Sequence, residues 1–121
     1  MKFDPNRPIW LQVMAEIRNE IVTGDKPPGS KLPGGRDLAL IYGINPNTAA
    51  RVYQELEKEG LCETRRGLGT FVTEDAARIA ALRSEMAREA VREFLGRMSR
   101  LGIAPEGAVR MIRNEEENNH A

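Results

Sequence analysis

The sequence predicts a mainly α-helical fold with one small β-hairpin (α+β): a winged helix-turn-helix followed by a C-terminal helical segment. Three observations predict it. Two short helical stretches are separated by only residues 43–45. Two short runs rich in β-formers follow them, with "RRGLG" between. From Glu74 the chain then runs without proline or glycine until Gly96.

In chain order, "PIWLQVMAEIRNEIVTG" places Trp10, Val13, Met14, Ile17 and Ile21 three and four residues apart, which is one face of a helix. Pro8 opens it and Gly24 closes it. "DKPPGSKLPGG" reads as a loop, pinned to the core by its one large apolar residue, Leu32. "RDLALIYG" is a short helix ending at Gly43. The next helix spans 46–59, with Asn45 as a preferred cap, Pro46 at the first helical position and Gly60 as the stop. Two short helices joined by so tight a turn must cross at a large angle, which makes a helix-turn-helix. Residues 61–64 and 70–73 are then the strands of a hairpin, the wing.

In the long stretch after Glu74, Ile79, Leu82, Met86, Ala90, Phe94 and Met98 form a stripe close to coiled-coil spacing, too apolar for a lone helix in water. A short helix is expected over "PEGAVRMIRN", presenting Val109 and Ile112 to the same seam. "EEENNHA" is expected as a flexible acidic tail.

Composition excludes several classes. The 121 residues are 40% apolar and 30% charged, which suits a soluble domain with an aliphatic core. Eighteen basic and 18 acidic residues leave no net charge, so any attraction to nucleic acid must come from the arrangement of charges. One cysteine, Cys62, makes no internal disulfide, points to a reducing compartment and reads as a small buried apolar residue. With one histidine, His120, next to last in the chain, no Cys/His metal site or catalytic pair can be assembled. No cofactor is expected. "MKFDPNRP" lacks an apolar signal core, and no apolar run approaches the ~18 residues of a membrane span, so the expected compartment is the cytoplasm, with no membrane partner.

On a helical wheel, Ala49, Val52, Tyr53 and Leu56 share the core side of the 46–59 helix. Asn47, Arg51, Gln54 and Lys58 line the other side. In a helix-turn-helix the second helix enters the major groove and its first turns meet base edges. Asn and Gln pair with adenine and Arg with guanine, through two hydrogen bonds each; Lys58, farther along, suits a phosphate. The same row is also what a solvated helix face looks like. In the wing, Arg65 and Arg66 stand beside glycines that leave room for close approach to a groove or to phosphate.

"PIWLQV", "GSKLPGGRDLALIYGINPNTAARVYQELEKEGL" and "RRGLGTFV", together spanning residues 8–72, resemble the GntR family of bacterial transcription regulators, most of all its short YtrA-type branch. The resemblance implies a homodimer bound to an inverted-repeat operator in double-stranded DNA. It implies DNA contacts at Arg36, at Asn45, Asn47 and Thr48, and at a wing glycine, Gly67 or Gly69. Two departures stand out. Gly34 and Gly35 follow Leu32-Pro33 where the family often has a capping serine, and Ala50 replaces an arginine of the larger members, with Arg51 matching the YtrA-type pattern. Regulators of this branch often lie near genes for ATP-driven transporters.

The expected organisation is a DNA-binding domain over 1–73 and a helical dimerisation region over 74–121, too short for an effector domain of its own. A signal would act on the helix pairing, through an unknown small molecule lodged between protomers or through nothing at all. The leading function is a sequence-specific DNA-binding regulator, expected to repress; the alternative is a winged helix that contacts another protein. An enzyme is not expected, because the one polar constellation is cationic and amide and offers no nucleophile–base pair.

Overall fold

The computed structural model describes residues 1–119. Its elements are α1 (Ile9–Thr23), α2 (Gly35–Tyr42), α3 (Pro46–Lys58), β1 (Cys62–Arg65), β2 (Gly69–Val72), α4 (Ala76–Arg100) and α5 (Pro105–Asn119). They form two compact units that divide inside α4, Met1–Arg83 and Ser84–Ala121.

In the first unit, α1, α2 and α3 turn their apolar faces inward. Val13, Met14, Ile17 and Ile21 of α1 meet Leu38 and Ala39 of α2 and Ala49, Val52, Tyr53 and Leu56 of α3 in a buried core, closed below by Leu32, Leu61, Cys62 and Val72. Each large aliphatic side chain here contributes about 1.5–3 kcal/mol of burial. Gly24 and Gly43 end α1 and α2 in the left-handed conformation, at φ 87° and 64°. Gly34 occupies the cap position of α2 with no side-chain hydrogen bond, so Asp37 in the first turn is the only acidic group that opposes the helix dipole there.

β1 and β2 pair antiparallel with Cys62 opposite Val72 and Arg65 opposite Gly69. Each strand keeps the expected length but is shifted one residue toward the turn, which puts Arg65 in β1 and leaves only 66–68 as the loop. Gly67 sits at φ 77° and the Leu68 N–H donates to Arg65 O at 2.9 Å. The proline-rich loop before α2 adds a third, partial strand that the sequence pattern hides. Leu32 N donates to Thr70 O at 2.8 Å, Val72 N to Ser30 O at 2.9 Å, and Lys31 bridges Phe71. The wing is thereby flanked on both sides of β2.

The compact boundary lies beyond the expected division after residue 73 because the first turns of α4 go with the winged unit. Ile79 and Leu82 are buried. Beside them the Arg78 Nε donates to Glu59 O at 2.7 Å and an Arg83 Nη donates to Val22 O at 3.1 Å. Both carbonyls belong to helix C-termini, where a cation is favoured.

In the second unit, the rest of α4 reverses through Gly102, at φ 81°, into α5, and Met98 and Ala108 are buried there. α5 continues through 115–119, where a flexible tail was expected. Glutamate is a good helix former and no proline or glycine interrupts the run. His120 and Ala121, the end of that expected tail, lie outside the described residues. Among the described residues no helix is long and apolar enough to cross a membrane.

Candidate nucleic-acid interface

The start of α3 answers why its first turn holds two asparagines. Asn45 is the cap: its Oδ1 accepts the Asn47 N–H at 2.8 Å. Pro46 follows at a position whose N–H would go unused. The Asn47 side chain is therefore left over from capping. It is exposed and makes no hydrogen bond within the described residues. Asn47, Arg51, Gln54 and Lys58 are all exposed, while Ala49, Val52 and Leu56 on the opposite side are fully buried. Thr48 is half-buried between the two faces.

The cations of this row are held differently. Lys58 is paired with Glu55 at 3.3 Å, an exposed i,i+3 pair of little worth to stability. Arg51 has no carboxylate partner among the described residues; its Cζ lies over the Trp10 ring, 4.0 Å from the centroid. Arg36, in the first turn of α2, is exposed and borders one shallow hollow with Leu40, Gly43, Ile44 and Pro46, so the structure brings it beside the start of α3.

In the wing, the Arg65 Nε and Nη donate to the same Glu63 oxygen at 3.1 and 2.7 Å, and its guanidinium lies over Phe71, 4.4 Å from the ring centroid. Arg66 is exposed with no hydrogen-bond or ion-pair partner among the described residues. The two wing glycines are not equivalent. A side chain at Gly67 would meet open space. One at Gly69, φ 120°, would stand 2.8 Å from the Lys31 Cε. Gly69 thus makes room for Lys31, and Gly67 forms the open tip.

Lys31 and Trp10 escaped the sequence reading as site residues. Lys31 sat in a loop with no visible strand, and Trp10 counted toward the apolar face of α1. Two further contacts steady the interface from behind. The Tyr53 hydroxyl donates to Pro33 O, which ties α3 to the loop before α2. The buried Gln12 holds the N-terminal arm, donating to Asp4 O at 2.9 Å and Arg7 O at 3.0 Å and accepting from Asp4 N at 2.8 Å. Cys62 takes no part: burial first, and the Glu57 carboxylate second, push its thiol up to about 12, so it stays protonated.

The residues expected to pair two copies fall into two groups. Ile79 and Leu82, with Met98, are already buried in the single chain. Met86 is half-buried, and Ala90, Phe94, Val109 and Ile112 are exposed. Val91, Leu101 and Met111 add to the exposed apolar surface of the second unit.

The family model for bacterial regulatory proteins of the gntR family matches residues 10–72. The chain belongs to the GntR family. This GntR chain is 42% identical over 78 residues to the HTH-type transcriptional repressor YtrA of Bacillus subtilis (strain 168), a match covering 63% of this chain and 60% of that protein. It resembles the solved GntR family transcriptional regulator from Listeria monocytogenes with a TM-score of 0.85 and 38% identity, over 93% of this chain and 98% of the other. The AraR DNA-binding domain, solved in complex with operator ORX1, matches 60% of this chain and 93% of its own, with 28% identity and a TM-score of 0.56. The GntR chain is accordingly a transcription regulator, a non-enzymatic protein, and the fold is the winged helix-turn-helix followed by helices that its sequence predicts.

Proposed function

We propose that this GntR regulator binds an inverted-repeat operator as a homodimer in the cytoplasm and represses transcription there. The observation that carries the reading is the outward row of α3, whose Asn47 is spared from capping and whose Arg51 and Gln54 stand exposed opposite a fully buried face. In this reading Asn47, Arg51 and Gln54 meet base edges, and Asn45, Thr48, Arg36 and Lys58 lie along the phosphates. Arg65, Arg66 and the open tip at Gly67 bring the wing to the adjacent backbone or minor groove, with Lys31 beside them. Residues 1–73 bind the DNA, the first turns of α4 complete that module, and the remainder pairs two copies through Phe94, Val109 and Ile112, with Met86 and Ala90 alongside. A small-molecule effector would act by altering this pairing; the groove lined by Ala90, Phe94, Arg97, Met98 and Leu101 is the place it would lodge.

Arg51→Ala should weaken binding to a duplex selected by the parent chain by about 1–3 kcal/mol, and binding to random DNA far less. Equal losses on both would make Arg51 a phosphate contact. Lys58→Ala should weaken both alike. A gel-shift titration between roughly 50 and 200 mM salt tests the whole reading, since DNA binding must fall by orders of magnitude. A chain that ignores salt, or captures no duplex from a random pool, is a protein-binding module instead.

For the wing, Arg66→Ala should flatten the salt dependence of log K by about 0.9. Arg65→Ala should cost more than its charge alone, because it leaves the Glu63 carboxylate uncompensated. Gly67→Asn preserves the turn, as asparagine tolerates a positive φ, yet places an amide at the tip. Binding unchanged in Gly67→Asn would mean that the tip stays clear of the groove.

A further inference from the structure

Trp10 is the second residue of α1, some forty positions from the helix that reads DNA, yet its ring carries the Arg51 guanidinium at 4.0 Å. Two other cations at the interface, Lys58 and Arg65, are held at their edges, while Arg66 has neither a ring nor a carboxylate to direct it among the described residues. Lys58 is bound by Glu55, and Arg65, though it also lies over Phe71, gives its Nε and one Nη to Glu63. Those donors must leave a carboxylate before they can serve DNA. A stack over an aromatic ring engages the flat face of a guanidinium and leaves its in-plane N–H groups free. The pair of donors that guanine O6 and N7 require lies along that free edge.

Stacking also limits where the edge can point. A long side chain on a helix surface samples many rotamers, and ordering it on binding weakens the contact made. Trp10 removes part of that penalty before DNA arrives. The indole is itself well placed to do so. It is half-buried, it precedes the buried run Gln12, Val13 and Met14, and Gln12 ties the arm ahead of α1 to the helix through three hydrogen bonds.

We propose that Trp10 is a specificity-determining positioning residue, whose ring fixes the Arg51 guanidinium for bidentate reading of a guanine. The proposal rests on the reading of Arg51 as a base contact, and its test separates the two. The probes are a duplex enriched from a random pool by the parent chain and a scrambled duplex of the same composition, and the readout is the ratio of the two affinities in the full-length protein. Trp10→Leu keeps apolar bulk and removes the π face; Trp10→Phe keeps the face. Trp10→Leu should lower the ratio about 3- to 30-fold with scrambled binding unchanged, and Trp10→Phe should stay within about twofold of the parent. In an Arg51→Ala background Trp10→Leu should change the ratio no further. Trp10 is the only tryptophan, so its emission in the free protein should also shift on Arg51→Met. A ratio preserved in Trp10→Leu while Arg51→Ala lowers it overturns the positioning role alone. A ratio preserved in Arg51→Ala overturns the base-reading role, and this proposal with it. Equal losses on both duplexes in Trp10→Leu and Trp10→Phe would reduce Trp10 to a packing residue and overturn the proposal.

Discussion

A full-length chain carrying Phe94→Asp and Ile112→Asp is expected to sediment as a monomer, where the parent is expected to be a dimer, and to bind its operator about 10²–10⁴-fold more weakly than the parent. One recognition helix reads only a few base pairs, too few to single out one site in a genome. Two reading heads held one DNA turn apart double the site and make the second engagement intramolecular. The second unit leaves Val91, Phe94, Leu101, Val109, Met111 and Ile112 exposed on two short-looped helices, a concentration of apolar surface that a monomer rarely leaves in water. Two aspartates placed there would have to lose their hydration in any pairing, whereas both positions are open enough to water for the chain itself to tolerate them. Sedimentation of parent and variant, followed by operator titration, measures both halves of the expectation. A parent that stays monomeric at tens of micromolar, or a variant that stays dimeric, refutes this interface. A deletion that isolates the reading head should end at Arg83. Ending at Thr73 would remove Ile79 and Leu82, which the head buries, and the Arg78 and Arg83 bonds to Glu59 O and Val22 O.

Leu56→Ala is expected to destabilise the winged unit by about 2–5 kcal/mol. Leu56 is 0% exposed, in the last turn of α3. Its backbone O accepts from Leu61 N at 3.0 Å, so the same residue anchors the turn into the wing. Removing three carbons there leaves a cavity that the Tyr53–Pro33 tie and the β1–β2 ladder keep from collapsing. For a domain of this size each kcal/mol moves Tm by about 4–8 °C, so a fall of roughly 8–40 °C should appear in a thermal melt. The exposed Gln54→Ala, two residues earlier in the helix, should leave the melt nearly unchanged while weakening operator binding. A loss of less than about 1 kcal/mol for Leu56→Ala would mean that the α3 core can close around the gap.

The winged helix-turn-helix was readable because its signals are local. Apolar spacing gave the inward faces of α1 and α3, Asn45-Pro46 marked the start of α3, and Gly43 forced the turn. The outward row needed no tertiary information either, since it is what remains of α3 once the buried side is assigned. Contacts between distant residues were not readable. Nothing in "DKPPGSKLPGG" signals a strand, because segment 30–32 pairs with β2 through two backbone bonds and one bridge rather than through an alternating pattern. Trp10 had the spacing of a core residue, and only the fold shows that its ring faces Arg51. The stripe from Ile79 to Met98 was visible as apolar, but periodicity cannot say which element covers which part of it. The structure buries Ile79, Leu82 and Met98 within the chain and leaves Phe94 open.

The carboxylates beside Lys58 and Arg65 bear on how this regulator searches a genome. Glu55 and Glu63 already occupy those two cations in the free protein, and the chain as a whole carries no net charge. Each of these two cations must part from its carboxylate before it meets a phosphate, so the electrostatic gain there is smaller than two free cations would give, on arbitrary and on matching sequence alike. With those two contacts discounted, the difference between a wrong site and the right one is expected to lie more in the α3 row than in charge.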